Sequence, residues 1–430
     1  MSLPLLGFGV VLALAFLGVP LCFSMLTVGV GLFALVRGLQ PALMMAGQTI
    51  SDLAMNEGLS VLPMFILMGA LIYKSELAEE LYDAAYALVG HKRGGLAFAT
   101  VLASAGFASI SGSSIATAAT MTKVAMPSMR RLGYDDSLAS GCVSSAGTLG
   151  ALVPPSVPLL IYGIVTQQDI AKLFVAGILP GILLGSLFMV AIWWTVLRNP
   201  ALGPAGPRLP WGQRLRRISK VWPIVLLFVI VMGGLYSGIF TANEAGGIGA
   251  AGAMFFTALR RKLSWSILSD SLVEAGRTTA MIFAVAFGGM VFANFVTMSG
   301  LTGSLVALIG GLHLPVTGII LVIMAIYVVL GSMMEAISMM LLTVPVFAAV
   351  LAPLGVSMLW FGVFVAMMIE IGMIHPPIGM NVFMVKTIMT ELSMSTIFAG
   401  TIQFLMANFV ALALIIAFPA LATWLPTFAR

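Results

Sequence analysis

The sequence predicts an all-α polytopic membrane protein built as two repeat halves, each with a re-entrant hairpin and a broken helix. Three observations carry that reading. Of 430 residues, 60% are hydrophobic and 8% charged, with a mean hydropathy of +1.12, whereas a soluble domain carries roughly 25% charged residues. A soluble fold of this length has no place to hide so much apolar surface, so lipid is the solvent for most of it. The apolar runs are long and continuous rather than alternating, which argues for helices against a β-barrel. Finally, two runs are interrupted in the same way, at "GTLGALVPPSVPLLIYG" (147–163) and "GMIHPPIGMNVFMV" (372–385). Glycine and proline are poor material for a continuous helix.

Spanning takes about 20 apolar residues per helix. The apolar segments, in order, are 3–36, 59–73, 96–110, 115–129, 138–153, 157–165, 170–197, 221–240, 246–259, 278–298, 316–330, 337–351, 359–374, 378–389 and 395–421. The first is too long for a cleavable signal and lacks a basic leader, so it reads as a retained segment that divides at Pro20. Several others are too short to cross alone. Such pieces fit hairpins and half-helices, which are tolerated at membrane depth only when buried in protein or lining a cavity.

The charged residues set the connections. The net charge of +5 comes from short basic loops rather than from a nucleic-acid surface. The longest polar stretch, "RNPALGPAGPRLPWGQRLRRISK" (198–220), reads as a cytoplasmic linker between the halves. "RRK" (260–262) joins it on that side, so 221–259 becomes two crossings that turn at "TANEAG". In "KSELAEELYDAAYALVGHKRGG" (74–95), Leu77, Leu81, Ala84, Ala85 and Leu88 fall at helical spacing. That stretch predicts an interfacial connector. Cys22 and Cys142 stand far apart and predict no disulfide.

The two interruptions belong to longer matching patterns. The first half runs "GSSIATAATMTKVAMP" (112–127), a helix, then "GTLGALVPPS" (147–156). The second runs "GSMMEAISMMLLTVP" (331–345), a helix, then "IGMIHPPIG" (371–379). Each has a Gly-Ser tip, an arm ending in proline, a helix, and Gly-x-x-x-Pro-Pro. Paired interruptions at corresponding positions of two halves point to a secondary transporter's binding site. The physics is direct. A broken helix frees carbonyls at one stub and N–H groups at the other. The carbonyls, with Ser and Thr hydroxyls, suit a hard cation, and the positive dipole end of the next stub suits a carboxylate.

With these motifs, and with "GLYSGIFTANEAGGIGA" (234–250), the chain resembles the large membrane subunit of a tripartite ATP-independent periplasmic (TRAP) transporter, over essentially its whole length. That resemblance implies a sodium-coupled importer of small organic anions such as C4-dicarboxylates or sugar acids. It implies a small four-helix membrane subunit, a periplasmic solute-binding protein and an elevator motion of a transport domain against a scaffold, in a bacterial or archaeal inner membrane. It divides the chain into scaffold helices and connector (1–95), a first repeat core (96–197), linker and further scaffold helices (198–277), and a second repeat core with the C-terminal helix (278–430). Sodium is the implied coupling ion, with no organic cofactor. The first sodium position falls on Ser111, Ser113, Ser114, Gly150, Val153 and Pro154, and the second on Gly331, Gly372, His375 and Ile378. Many members carry threonine where this chain has His375. Substrate contacts are expected from Thr117, Pro155, Ser156 and Asn381.

Each polar residue also has a plainer reading. The serines and threonines of 103–122 serve equally as small helix-packing residues. Lys123 either snorkels to the interface or faces substrate. Glu335 and Glu370, acids in apolar surroundings, either meet a cation or cap a helix. Asn381 and Asn294 either bind a carboxylate or tie helices together, and Glu244 anchors a helix start. No nucleophile elbow, Walker loop, HExxH or CxxC occurs, so no enzyme is predicted. His91, His313 and His375 are too scattered for a local zinc site. A stand-alone symporter is the near alternative. A proton-conducting subunit of a respiratory or antiporter complex is the distant one, with Lys123, Glu335 and Lys386 too sparse for a relay.

Overall fold

The computed structural model describes residues 2–75, 77–301, 303–304, 315–332 and 334–428. His313 and Met333 lie outside the described residues. Every regular element among those described is helical. The opening apolar run divides where expected, into α1 (Ser2–Phe16) and α2 (Leu21–Arg37) on either side of Pro20. α3 (Leu39–Ala54) follows, and the apolar pattern does not reveal it. Gln40, Gln48, Ser51 and Asp52 dilute its hydropathy, yet Ala42, Ala46 and Leu53 bury one face. α4 (Val61–Lys74) is apolar, and α5 (Leu77–Val89) is the amphipathic connector.

The first hairpin is α6 (Gly95–Ser111) and α7 (Ser114–Arg131), turning at Gly112 and Ser113. Next comes α8 (Asp136–Ala146), which passes into a tight turn of helix at Gly147–Ala151 and then breaks. α9 (Val157–Thr166) resumes after the prolines, and α10 (Ile170–Arg198) is a long apolar span. The polar linker is not wholly irregular. It holds α11 (Trp211–Ile218), where Arg214 lies over the Trp211 ring at 5.0 Å. α12 (Trp222–Tyr236) and α13 (Ala242–Leu259) are the expected pair joined at "TANEAG". There Thr241 and Glu244 close a reciprocal cap, Glu244 Oε2 accepting the Thr241 N–H at 2.8 Å.

α14 (Trp265–Met298) starts thirteen residues before the apolar run at 278, because Asp270, Glu274 and Arg277 mask its first third. A single helix therefore crosses the boundary that the sequence placed between 277 and 278. The remaining elements are α15 (Val316–Gly331), α16 (Ala336–Leu351), α17 (Met358–Ile374), α18 (Met380–Ile388) and α19 (Met394–Ala417). Two runs thus share one order: arm, tip, arm, half-helix, break, half-helix, long helix. They are α6 to α10 and α15 to α19. Among the described residues, six helices are long and apolar enough to cross a membrane.

Small residues let the backbones close on one another. α8 packs on α19, and α14 packs on α2, α3, α4 and α16. At the α8–α19 contact, a Cβ on Gly141 would run into the backbone of Gly400, and one on Gly400 into the Ser137 carbonyl. Gly400→Leu is therefore expected to destabilise the fold by about 3 kcal/mol, read as a lowered melting temperature in detergent. An unchanged melt would contradict this packing. Ion pairs tie the loop ends. Arg130 forks onto both carboxylate oxygens of Asp136 and also pairs with Glu391, joining the end of α7 to the loop before α19. Glu391 is held below the usual carboxylate range by its own backbone amide and by that guanidinium.

Candidate functional site

The two interruptions are real breaks, and each receives a hairpin tip. α8 ends in a turn of tighter helix because Gly147 and Gly150 weaken it and Pro154 ends it. α17 ends at Ile374 just before Pro376. The Pro154–Pro155 and Pro376–Pro377 peptide bonds are both cis.

At the first break, the tip between α6 and α7 is pressed against freed backbone. Gly112 has φ +58°, a conformation that favours glycine, and a Cβ there would lie 2.9 Å from the Pro155 carbonyl oxygen. Gly150 lies across from Ser113 and Ser114, where a Cβ would meet Ser113 C and Ser114 N at 3.4 Å. Ser113 caps α7, accepting the Ala116 N–H at 3.3 Å. Thr117 is buried, donates to the Ser113 carbonyl at 2.7 Å and lies 3.1 Å from the Ser111 hydroxyl. Ser111, Ser113, Ser114, Gly150 and Thr117 are therefore gathered at one place. Val153 and Pro154 follow in the same break, with the Val153 N–H bound to Leu149 O at 3.0 Å.

At the second break the two glycines meet directly. A Cβ on Gly372 would lie 2.6 Å from the Gly331 carbonyl oxygen, and one on Gly331 would lie 3.1 Å from Gly372 Cα. The carbonyl at the end of one hairpin arm thus faces the stub of the broken helix. His375 ends α17 with extended backbone, and its buried Nδ1 has no partner. Ile378 is 42% exposed, and Pro376 and Pro377 are also exposed, whereas the prolines of the first break are buried.

Between the tips lies a cavity of about 400 Å³. Ser111 to Ala116 form one wall, Glu335 to Ile337 another, and Glu370 and Met373 a third. α4 and α14 close it with Gly69, Tyr73, Thr278 and Met281. Gly69 marks the close approach, since a Cβ there would stand 3.0 Å from Ser111 Cα. Among the described residues, three carboxylates line the cavity (Glu274, Glu335 and Glu370) and no Lys, Arg or His does. Glu274 pairs with Lys74 at 3.3 Å. Glu335 is the N-cap of α16, accepting the Ile337 and Ser338 N–H groups at 3.1 Å each.

Glu370 is different. It is 1% exposed, and its Oε1 accepts the Ser114 hydroxyl from the first tip, across 256 positions of sequence. Its Oε2 has no partner. A position in the last turns of α17 rules out the capping reading. No local signal announces the Ser114 contact.

Ser156 caps α9 through the Leu159 N–H at 3.3 Å and donates to the Ala151 carbonyl at 2.6 Å. The Pro155 carbonyl oxygen stands close against the Gly112 turn. Asn381 is fully buried and ties α18 to the Ser144 carbonyl at 3.1 Å, away from the cavity lining. Lys123 is exposed and reaches the Tyr73 hydroxyl at 3.5 Å, at the cavity's rim. Asn294 ties α14 to Thr49 of α3 at 2.8 Å.

Residues 8–421 match the family described as "Tripartite ATP-independent periplasmic transporter, DctM component". The chain is 35% identical to the C4-dicarboxylate TRAP transporter large permease protein DctM of Pseudomonas aeruginosa, over 86% of each chain. It is 30% identical to the 2,3-diketo-L-gulonate large permease protein YiaN of Escherichia coli, over 94% of each. The sialic acid large permease protein SiaM of Vibrio cholerae is also 30% identical, over 96% of each. Among solved structures, the YdaH transporter of Alcanivorax borkumensis shares the fold, with TM-score 0.64 at 14% identity over 91% of this chain and 90% of that one. The chain therefore belongs to the DctM-component family, as the large permease subunit of a TRAP transporter, a multi-pass membrane protein and not an enzyme.

Proposed function

We propose that the chain carries the translocation site of a sodium-coupled importer of small organic anions in the inner membrane. The observation that carries this reading is the seating of each hairpin tip against a broken helix, at Gly112/Gly150 and Gly331/Gly372, on either side of one cavity. Backbone carbonyls at the breaks and the hydroxyls of Ser111, Ser113 and Ser114 supply oxygens for sodium. The Ser114 and Ile115 amides at the start of α7 have no intrahelical acceptor and suit a carboxylate. With no basic side chain among the described lining residues, sodium and helix ends are what balance the anion's charge. The match between the runs α6–α10 and α15–α19 supports two repeats of inverted orientation and an elevator movement of this core against α2, α4 and α14. A periplasmic binding protein delivers the substrate, and a small four-helix membrane subunit completes the complex. The relatives' names, C4-dicarboxylate, diketogulonate and sialic acid, support an organic acid as substrate.

The test is uptake into proteoliposomes holding both membrane subunits, with the binding protein outside. Uptake is expected to fall to background when choline replaces sodium, and Ser113→Ala is expected to do the same while the chain stays monodisperse. Full-rate uptake without sodium would sink the reading.

A further inference from the structure

Glu370 is the one buried acidic side chain among the described residues. A carboxylate withdrawn from water costs several kcal/mol unless a cation or hydrogen bonds compensate it. Glu370 has one such bond, from Ser114, and leaves Oε2 without a partner in the cavity wall. Its helix makes matters worse. Glu370 stands four residues before the end of α17, where freed carbonyls give the helix a negative end. The other charges facing the cavity are spent or of like sign: Glu274 is paired with Lys74, and the Glu335 oxygens hold the α16 amides. Lys123 reaches only the Tyr73 hydroxyl.

The location is specific. Ser114 belongs to the first tip, and Glu370 lies two residues before Gly372, which faces the carbonyl of the second. Because the Ser114 hydroxyl donates its proton to Glu370, its own lone pairs stay free for a cation. Apart from the Glu335 carboxylate, which holds the α16 amides, the other oxygens of the tips are neutral carbonyls and hydroxyls. We propose that Glu370 Oε2, with the Ser114 hydroxyl, forms a further sodium position between the two breaks, the only one with a formally charged protein ligand. Resting on the sodium reading above, it supplies what that reading lacks: a residue shared by both tips, so that filling one break draws the other toward it. A buried carboxylate then becomes neutral as a unit before the loaded core moves.

The experiment is equilibrium binding of radioactive sodium to the purified full-length chain with its small membrane partner. Wild type, Glu370→Gln and Glu370→Asp are compared, with melting curves as the folding control. Glu370→Gln is expected to bind one sodium ion fewer per chain. Glu370→Asp keeps the charge but withdraws it, and is expected to keep the number while weakening one site about tenfold, a modest share of what breaking a buried ionic contact costs. Glu370→Gln binding as many ions as wild type, at unchanged affinity, would overturn this site alone. If Glu370→Gln fails to fold, unchanged affinity in Glu370→Asp would do so. Wild type binding no sodium would overturn this site together with the sodium reading itself.

Discussion

Gly372→Ala is expected to stop uptake while leaving the chain folded. The added Cβ would stand 2.6 Å from the Gly331 carbonyl oxygen and 2.7 Å from Gly331 C and Cα. No carbon sits that close to backbone, so the α15 end, the α17 stub or both must shift. The neighbours are main chain, not a flexible side chain that can swing away. A displacement of about 1 Å at a preorganised site costs on the order of 100-fold in rate. The Gly331 carbonyl is one of the oxygens of the proposed second sodium position, so its shift is expected to spoil that proposed site before it spoils the fold. Initial uptake rates with and without saturating sodium, beside a melting curve, measure this. A near-normal rate in Gly372→Ala would show that the glycine contact does no work in transport.

Gly150 should respond in two steps. A Cβ there would meet Ser113 C and Ser114 N at 3.4 Å and the Ala108 Cβ at 3.5 Å, which is ordinary contact. Gly150→Ala is therefore expected to keep most of its uptake. Gly150→Leu has nowhere to put its further carbons except between the break and the tip. It is expected to lose uptake by about 100-fold or more, by the same displacement argument. The contrast separates the two sites: alanine is tolerated at the first and not at the second. Equal loss in both alanine variants would mean that the backbone spacing described for the first break is wrong.

How far the sequence could be read follows from where its signals are local. The division at Pro20, the pair of helices around "TANEAG", the amphipathic α5 and both breaks all announce themselves through proline, glycine or periodicity within one stretch. α3 and the start of α14 escaped because scattered polar residues lower their hydropathy while buried alanines and small residues still pack them. α11 escaped because it is short and basic, inside a Pro- and Gly-rich linker. At the site, the paired patterns marked the tips and the breaks, and the family resemblance implied the grouping of Ser111, Ser113, Ser114 and Gly150 and that of Gly331 with Gly372, which the fold brings together. The partners of Glu335 and Glu370 were not. Each had a capping and a cation reading, and only the fold shows that Glu335 caps α16 whereas Glu370 meets Ser114. Ser156 and Asn381 lie close to the breaks in sequence; the Ser156 hydroxyl donates to the Ala151 carbonyl, and the Asn381 amide nitrogen donates to the Ser144 carbonyl while its oxygen stays buried without a partner.

The most direct measurement is a pair of cryo-electron microscopy maps of the complex, one in sodium and one in choline. In sodium, a compact density peak is expected where the first tip meets Gly150 and another where the Gly331 carbonyl faces Gly372, both lost in choline. Sodium maps with neither peak, or with unbroken helices or apolar side chains filling those places, would contradict the account.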